Sequence, residues 1–271
     1  MRVVKVSLCP LAAMAMLMTS CAGPAPHAST PGVSESRSGL PAQQLSQPTN
    51  GPVASPVDPD PRVGAVFLDG GTLHVCTASV LHSTDGDLVL TAAHCLGGDS
   101  QATFVPGFAG AAAPSNTWTV DEMYFDARWI AGKDPRADYA IARVSGNGGS
   151  VERRTGSALS LGTAPAAGSR ITVTGYPAGV GGRPISCQAS TALTESGFPS
   201  VACEGLVDGT SGAPWISGTS VTGVIGGLEA GGCAQNLSYT APFDEHTAQL
   251  LARAEAGGPG DRPPTELDDT C

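Results

Sequence analysis

An all-β fold, a sandwich or barrel of short strands, is predicted by three features of this sequence. Short apolar or alternating runs recur at regular spacing, turn residues separate them, and a single stretch reads clearly as helix. Glycine supplies 36 of the 271 residues and clusters between the runs, as a chain that reverses direction often requires. In chain order the runs are residues 63–68, 88–90, 102–108, 118–125, 139–144, 171–176, 214–217 and 220–227. They are rich in branched and aromatic side chains, which pack well on a pleated surface. In Ile171-Thr172-Val173-Thr174 apolar and hydroxyl residues alternate, the pattern of a half-buried strand. The helix closes the series: Asp244 caps it, residues 245–255 carry Leu250 and Leu251, and Gly257 stops it. No internal repeat is present.

The two ends differ from this core. Arg2 and Lys5 precede an apolar stretch over residues 6–18, the charge and length of a secretory signal and too short to span a bilayer stably. Leu17-Met18-Thr19-Ser20-Cys21 resembles a bacterial lipoprotein signal, in which the cysteine becomes acylated; the alternative is an ordinary signal cleaved a few residues later. Residues 1–21 are therefore expected to direct export, with Cys21 as the candidate lipidation site and membrane tether. Residues 22–60 are rich in Pro, Ser, Ala, Gly and Gln and bury too little to offset ordering entropy, so a disordered tether or pro-segment is expected there. Residues 61–256 form the folded domain, and residues 257–271 read as a disordered tail.

Charge narrows the partners. The net charge is −10, and removal of the signal with Arg2 and Lys5 takes it to −12. Such acidity argues against nucleic acid or an anionic membrane surface as a partner. Of eight cysteines, Cys9 and Cys21 belong to the signal region, leaving Cys76, Cys95, Cys187, Cys203, Cys233 and Cys271. An even number in an exported chain suggests disulfides, and the sequence alone leaves their connectivity open. No cysteine pair has close metal-ligand spacing, so no metal is expected.

Three strings carry the chemistry: Thr91-Ala92-Ala93-His94-Cys95, Asp138-Tyr139-Ala140, and Gly209-Thr210-Ser211-Gly212-Ala213-Pro214. A neutral serine is a poor nucleophile and needs an imidazole to take its proton, which in turn needs a carboxylate to fix its tautomer. His94 is the candidate base, Asp138 the orienting acid and Ser211 the nucleophile, with the N–H groups of Gly209 and Ser211 as an oxyanion hole. Surface or structural roles are expected for His27, His74, His82 and His246. Asp126 and Asp134 compete with Asp138, which is favoured because an apolar run follows it.

These strings, in the order His, Asp, Ser, resemble the chymotrypsin/trypsin-like serine peptidases, in a secreted bacterial branch. The resemblance implies two packed six-stranded β-barrels with a C-terminal α-helix and an active site between the barrels. The first barrel would span about 61–150, the second about 158–243 and the helix 244–256, with the boundary in the Gly- and Ser-rich residues 145–157. It implies a secreted or surface-tethered serine endopeptidase acting on peptide or protein substrates as a monomer, without cofactor. The alternatives are a catalytically silent homologue serving as a binding module, and an esterase using the same triad. The resemblance also implies a Cys76–Cys95 disulfide, worth roughly 3 kcal/mol on the chain-entropy model. Cys187–Cys203 is suggested by the apolar segments both flank, and Cys233–Cys271 follows by elimination.

One departure stands out. The best-known members carry Asp where Thr210 stands, and that Asp captures a new amino terminus after clipping. Arg62-Val63-Gly64 is similar to their mature start but continues with Ala65. An oxyanion hole formed without that switch is expected. For the substrate pocket, counting back from Ser211 puts Gly205 at the base, with Glu204, Asp208 and Glu229 as walls or as solvated rim charges. An acidic wall would favour Arg or Lys before the scissile bond. Gly226, Gly227, Gly231 and Gly232 suggest a backbone wall against which an extended peptide could lie.

Overall fold

The computed structural model describes residues 51–264 apart from 99, 147 and 235. Its strands are β1 (Ser55–Pro56), β2 (Val63–Leu68), β3 (Leu73–Leu81), β4 (Leu88–Thr91), β5 (Ala102–Pro106), β6 (Trp118–Phe125), β7 (Ala140–Ser145) and β8 (Ser160–Leu161). They continue as β9 (Arg170–Gly175), β10 (Gly179–Val180), β11 (Ile185–Leu193), β12 (Pro199–Ala202), β13 (Pro214–Ser217), β14 (Ser220–Val224) and β15 (Leu237–Tyr239). The helices are α1 (Ala127–Gly132), α2 (Val151–Thr155) and α3 (Glu245–Ala256).

The first sheet closes on itself. β3 pairs with β2, β2 with β5, β5 with β6, β6 with β7, β7 with β4 and β4 with β3, all antiparallel, giving a six-stranded barrel. The second follows the order β15-β12-β11-β9-β13-β14, with β8 beyond β14. Its two ends meet without a strand ladder, where the Gly226 N–H donates to Tyr239 O at 3.1 Å. Each barrel borrows a short strand from outside its own segment: β10 pairs with β3, and β1 with β11. The fold is thus mostly β, two barrel-like sheets with a C-terminal helix.

Large side chains explain the closure. Phe104, Trp118 and Phe125 fill the first barrel, while Trp215, Val173 and Ile171 fill the second with Cys187 and Cys203. A third cluster joins the barrels to the last helix through Leu81, Leu159, Val221 and Leu250. Burying each such side chain is worth about 1.5–3 kcal/mol. The Asp244 carboxylate accepts from the His246 N–H while Thr247 answers the Asp244 N–H, so the cap read from the sequence starts α3, and Gly257 ends it with φ +71°.

Two expectations about the ends are corrected. Residues 51–60 do not belong to a disordered tether: the Ala54 N–H donates to Glu204 O at 2.8 Å, the Glu204 N–H to Pro52 O at 2.9 Å and the Val57 N–H to Pro184 O at 3.0 Å. Backbone pairing along a sheet edge holds this stretch, so it needs no large apolar residues. Residues 257–264 are not a loose tail either, because polar bonds fasten them to β6: Tyr124 Oη donates to Gly258 O at 3.0 Å and the Asp261 N–H to Met123 O at 2.7 Å. The stretch expected to hold the barrel boundary, residues 145–157, carries α2. No helix among the described residues is long and apolar enough to cross a membrane. The signal region, Cys21 and the remaining tether lie outside the described residues.

Candidate active site

His94 and Asp138 sit at strand ends of the first barrel. β4 delivers the chain to a short 3-10 turn, Ala93–Cys95, and a second such turn, Pro135–Ala137, precedes Asp138 at the mouth of β7. Asp138 is only 1% exposed. Its carboxylate accepts three N–H bonds: Oδ1 from the His94 backbone at 3.0 Å, Oδ2 from His94 Nδ1 at 2.8 Å and from the Gly227 backbone at 2.7 Å. Burial alone would push this carboxyl up; the His94 charge and these bonds outweigh it and hold it below its ordinary value. An ionised, immobile carboxylate on Nδ1 fixes the tautomer in which Nε2 is the basic nitrogen.

The competing aspartates have structural work. Asp126 caps α1 and binds both the Arg128 guanidinium and the Tyr139 hydroxyl, and Asp134 caps the turn before Asp138. Burial would raise Asp126, but the bonds from Arg128 and Tyr139 prevail and hold it at about 2. Of the other histidines, His74 is buried with Nε2 2.7 Å from Gly181 O, His82 pairs with Glu152, and His246 lies in the first turn of α3. His27 lies outside the described residues.

Ser211 comes from the second barrel on a loop pressed against the first. Its carbonyl accepts the Thr77 N–H at 2.8 Å, and Thr77 Oγ1 donates to Gly209 O at 2.9 Å. A Cβ on Gly212 would stand 2.2 Å from Thr77 O and from Thr91 Oγ1, so only a residue without a side chain lets this loop reach the turn bearing His94. The Cys76–Cys95 disulfide ties β3 to that same turn. Ser211 and His94 both line a cleft of about 810 Å³.

The backbone around Ser211 is oriented by its carbonyls. The Ala178 N–H holds Asp208 O at 2.7 Å, and the Ala213 N–H holds Thr210 O at 2.8 Å. In a trans peptide the N–H points opposite the C=O, so these bonds turn the N–H groups of Gly209 and Ser211 the other way. Neither N–H has an acceptor among the described residues. Thr210 Oγ1 donates to Val207 O at 2.6 Å, which with the Thr210 N–H on the same carbonyl at 3.0 Å closes the turn locally. Val63 lies fully buried within β2, and Arg62 is held by Asp60.

The pocket residues read from the sequence are only partly where expected. Asp208, Gly209, Gly231 and Gly232 line the cleft. Glu204 and Gly205 do not; they face residues 52–54 at the sheet edge, because counting back from Ser211 ignores the turn at 206–209. Gly226 packs under Asp138, and the Gly227 N–H serves Asp138 rather than a substrate. Gly227 and Glu229 line a side recess of about 80 Å³ with Trp129 and Lys133. Leu206, Val207, Ile225, Ala230 and Ser238 line the second-barrel arm of the cleft and had no signal in the sequence. Cys187 and Cys203 are joined, and Cys233 is also disulfide-bonded, while Cys271 lies outside the described residues. Cys76, His94 and Cys95 gather within reach of one ion, but their sulfurs are committed to the disulfide, so they make no metal set.

The trypsin-like peptidase domain family model matches residues 76–226. A thermostable serine protease, AL20, from an extremophilic microorganism is 24% identical with a TM-score of 0.64, covering 73% of this chain and 99% of its own. The protease Anisep from Arthrobacter nicotinovorans is 22% identical with a TM-score of 0.65, covering 76% and 100%. Human heparin binding protein is 17% identical with a TM-score of 0.60, covering 77% and 98%. No curated protein matches the chain.

Proposed function

The chain belongs to the trypsin-like peptidase family, and from that premise we propose that it is an exported serine endopeptidase working through an acyl-enzyme on Ser211. The observation that carries this reading is the buried Asp138 carboxylate locked onto His94 Nδ1 at 2.8 Å, at the cleft that Ser211 also lines. Ser211 Oγ attacks the scissile carbonyl as His94 Nε2 takes its proton, and Asp138 stabilises the imidazolium. The carbonyl oxygen, now negative, takes hydrogen bonds from the Gly209 and Ser211 N–H groups, each worth about 3 kcal/mol in the transition state. His94 returns the proton to the leaving amine, and a water activated by the same imidazole releases the acyl group. Because Thr210 closes its turn on Val207, this machinery needs no freed amino terminus.

The second-barrel arm sets the acyl-side preference. Leu206, Val207, Ile225, Ala230 and Ser238 offer apolar and small surfaces, and Asp208 is its one carboxylate among the described residues. Uncharged, apolar side chains before the scissile bond suit that lining better than Arg or Lys. Export through residues 1–21, with a lipid on Cys21, would place the enzyme at the cell surface. The acidic surface argues against a polyanion-binding role of the kind named for one structural neighbour.

A fluorophosphonate probe should label the wild-type chain and not Ser211→Ala, and a peptide-library digest should show cleavage after apolar residues. Labelling that survives Ser211→Ala would overturn the assignment of the nucleophile. A labelled enzyme that hydrolyses esters but no peptide would make it an esterase. Mass spectrometry of the mature amino terminus tests the lipid on Cys21.

A further inference from the structure

The cleft is lined from both barrels. The first contributes Leu68, Val75, the Cys76–Cys95 disulfide and Gly97, together with Pro264; its Trp129 and Lys133 also line the recess beside Gly227 and Glu229, and so belong to the other arm. Pro264 comes from beyond the last helix, and how it arrives there is specified in detail. Arg253 of α3 grips Asp261 with two bonds, Nη1 to Oδ1 at 2.9 Å and Nη2 to Oδ2 at 2.5 Å, while Nη2 also reaches Phe125 O at 2.6 Å. The Phe125 N–H donates to Asp261 Oδ2 at 2.8 Å, and the Gly260 N–H to Glu122 Oε2 at 2.5 Å. The segment then delivers Pro264, whose carbonyl accepts the Gly98 N–H at 3.3 Å, just after the turn that bears His94.

From this placement we infer that residues 257–264 are a working part of the substrate cleft: with Leu68 and Val75, Pro264 forms an apolar subsite for the side chain that follows the scissile bond. The inference rests on the peptidase reading, which puts the acyl part of the substrate in the second-barrel arm and so sends the leaving part to this one. Leu68, Val75, the disulfide, Gly97 and Pro264 carry no charge, and Lys133 lies toward the Gly227 recess, so a Leu- or Phe-sized side chain gains from burial beside Pro264, whereas Asp or Glu would be desolvated without a partner. Asp261 does not touch substrate; it is a positioning residue that holds the segment down.

Two substrates separate this from a merely structural role. One is an N-acyl amino acid primary amide, whose leaving group is ammonia and leaves this arm empty; the other is an internally quenched peptide with Leu immediately after the cleaved bond. In full-length Asp261→Ala and Pro264→Gly, kcat/KM for the peptide should fall about tenfold, while the amide changes by no more than about twofold. A peptide with Asp in place of that Leu should be a poor substrate of the wild type and insensitive to both variants. Equal losses on amide and peptide, or no loss on the peptide, overturn the inference and leave the peptidase standing. If Asp261→Ala unfolds, Pro264→Gly alone decides by the same ratio. Failure of the wild type to turn over either compound overturns the peptidase reading and this subsite with it.

Discussion

The two barrels meet at one cleft but contribute to it in opposite ways. The first closes its ladder completely around Phe104, Trp118 and Phe125 and presents His94 and Asp138 on short turns at strand ends. The second leaves its ladder open and presents loops, where the Gly209 φ of +87° and the Gly212 φ of +80° aim backbone groups at the cleft. A proton relay requires side chains held in a low-dielectric wall, which a closed barrel provides. A hole for an oxyanion requires amide dipoles in turn conformations, which side chains would obstruct. Charge follows the same division. Every carboxylate held below its ordinary value among the described residues, Asp60, Asp126, Asp138 and Asp261, flanks or packs on the first barrel.

The sharpest way to break this comparison is Asp138→Asn. It keeps the shape and removes the charge that fixes the His94 tautomer, so kcat should fall about 10⁴-fold. Fluorophosphonate labelling rates measure it directly. A loss under tenfold would mean that the first barrel does not supply the relay. Next come two disulfides, Cys76–Cys95 of the first barrel and Cys187–Cys203 of the second, which close sequence separations of 19 and 16 residues. Removing either pair, as Cys76→Ser with Cys95→Ser or Cys187→Ser with Cys203→Ser, should cost roughly 3 kcal/mol in denaturant unfolding. Only the first should also lower kcat, since it alone restrains the turn that bears His94. Equal losses of kcat in both would erase the distinction between the barrels.

What could be read from the sequence was whatever short strings or side-chain periodicity encode. The His94, Asp138 and Ser211 strings stand out because each chemical role demands particular residues at fixed local spacing. The run at 171–176 became β9 because its alternation is clean. β11, by contrast, reads Ile-Ser-Cys-Gln-Ala-Ser-Thr-Ala-Leu, and β3 interrupts its apolar residues with His74, Thr77 and Ser79, all buried here. Their burial is decided by partners distant in sequence, which no local pattern reports. Residues 51–60 and 257–264 were illegible for a related reason: backbone ladders hold the first, and an Arg253–Asp261 pair holds the second. The pocket was least legible, because loop geometry decides which neighbours of Ser211 line the cleft, and Glu204, whose backbone pairs with residues 52–54, is not among them.

Acid should expose the asymmetry next. A carboxyl whose folded pKa is depressed adds stability that is complete above its unfolded value and fades as pH falls toward the folded value. For Asp126 that window runs from 3.8 down to about 2, and protonating it there costs about 2 kcal/mol of stability. Asp138, Asp60 and Asp261 act in the same direction. Amide exchange between pH 4 and about 2.5 should therefore show β6 and β7 losing protection before β9 and β11 do. Simultaneous loss in both barrels would mean that these carboxylates do not localise acid sensitivity.

The smallest effect tests the second barrel alone. Thr210→Val keeps nearly the same volume and deletes only the Oγ1 bond to Val207 O, costing about 1 kcal/mol. Thr210 is 2% exposed, so no water replaces the lost donor, and the turn carrying Gly209 loosens. If that bond holds the amide dipoles in place, kcat should fall about fivefold with KM unchanged, because the dipoles act on charge that exists only in the transition state. Thr210→Ser keeps the hydroxyl and should restore most of the rate. A Val variant as fast as wild type would show that the carbonyl anchors at Ala178 and Ala213 orient the loop by themselves, and that the hydroxyl at position 210 matters to stability and not to turnover.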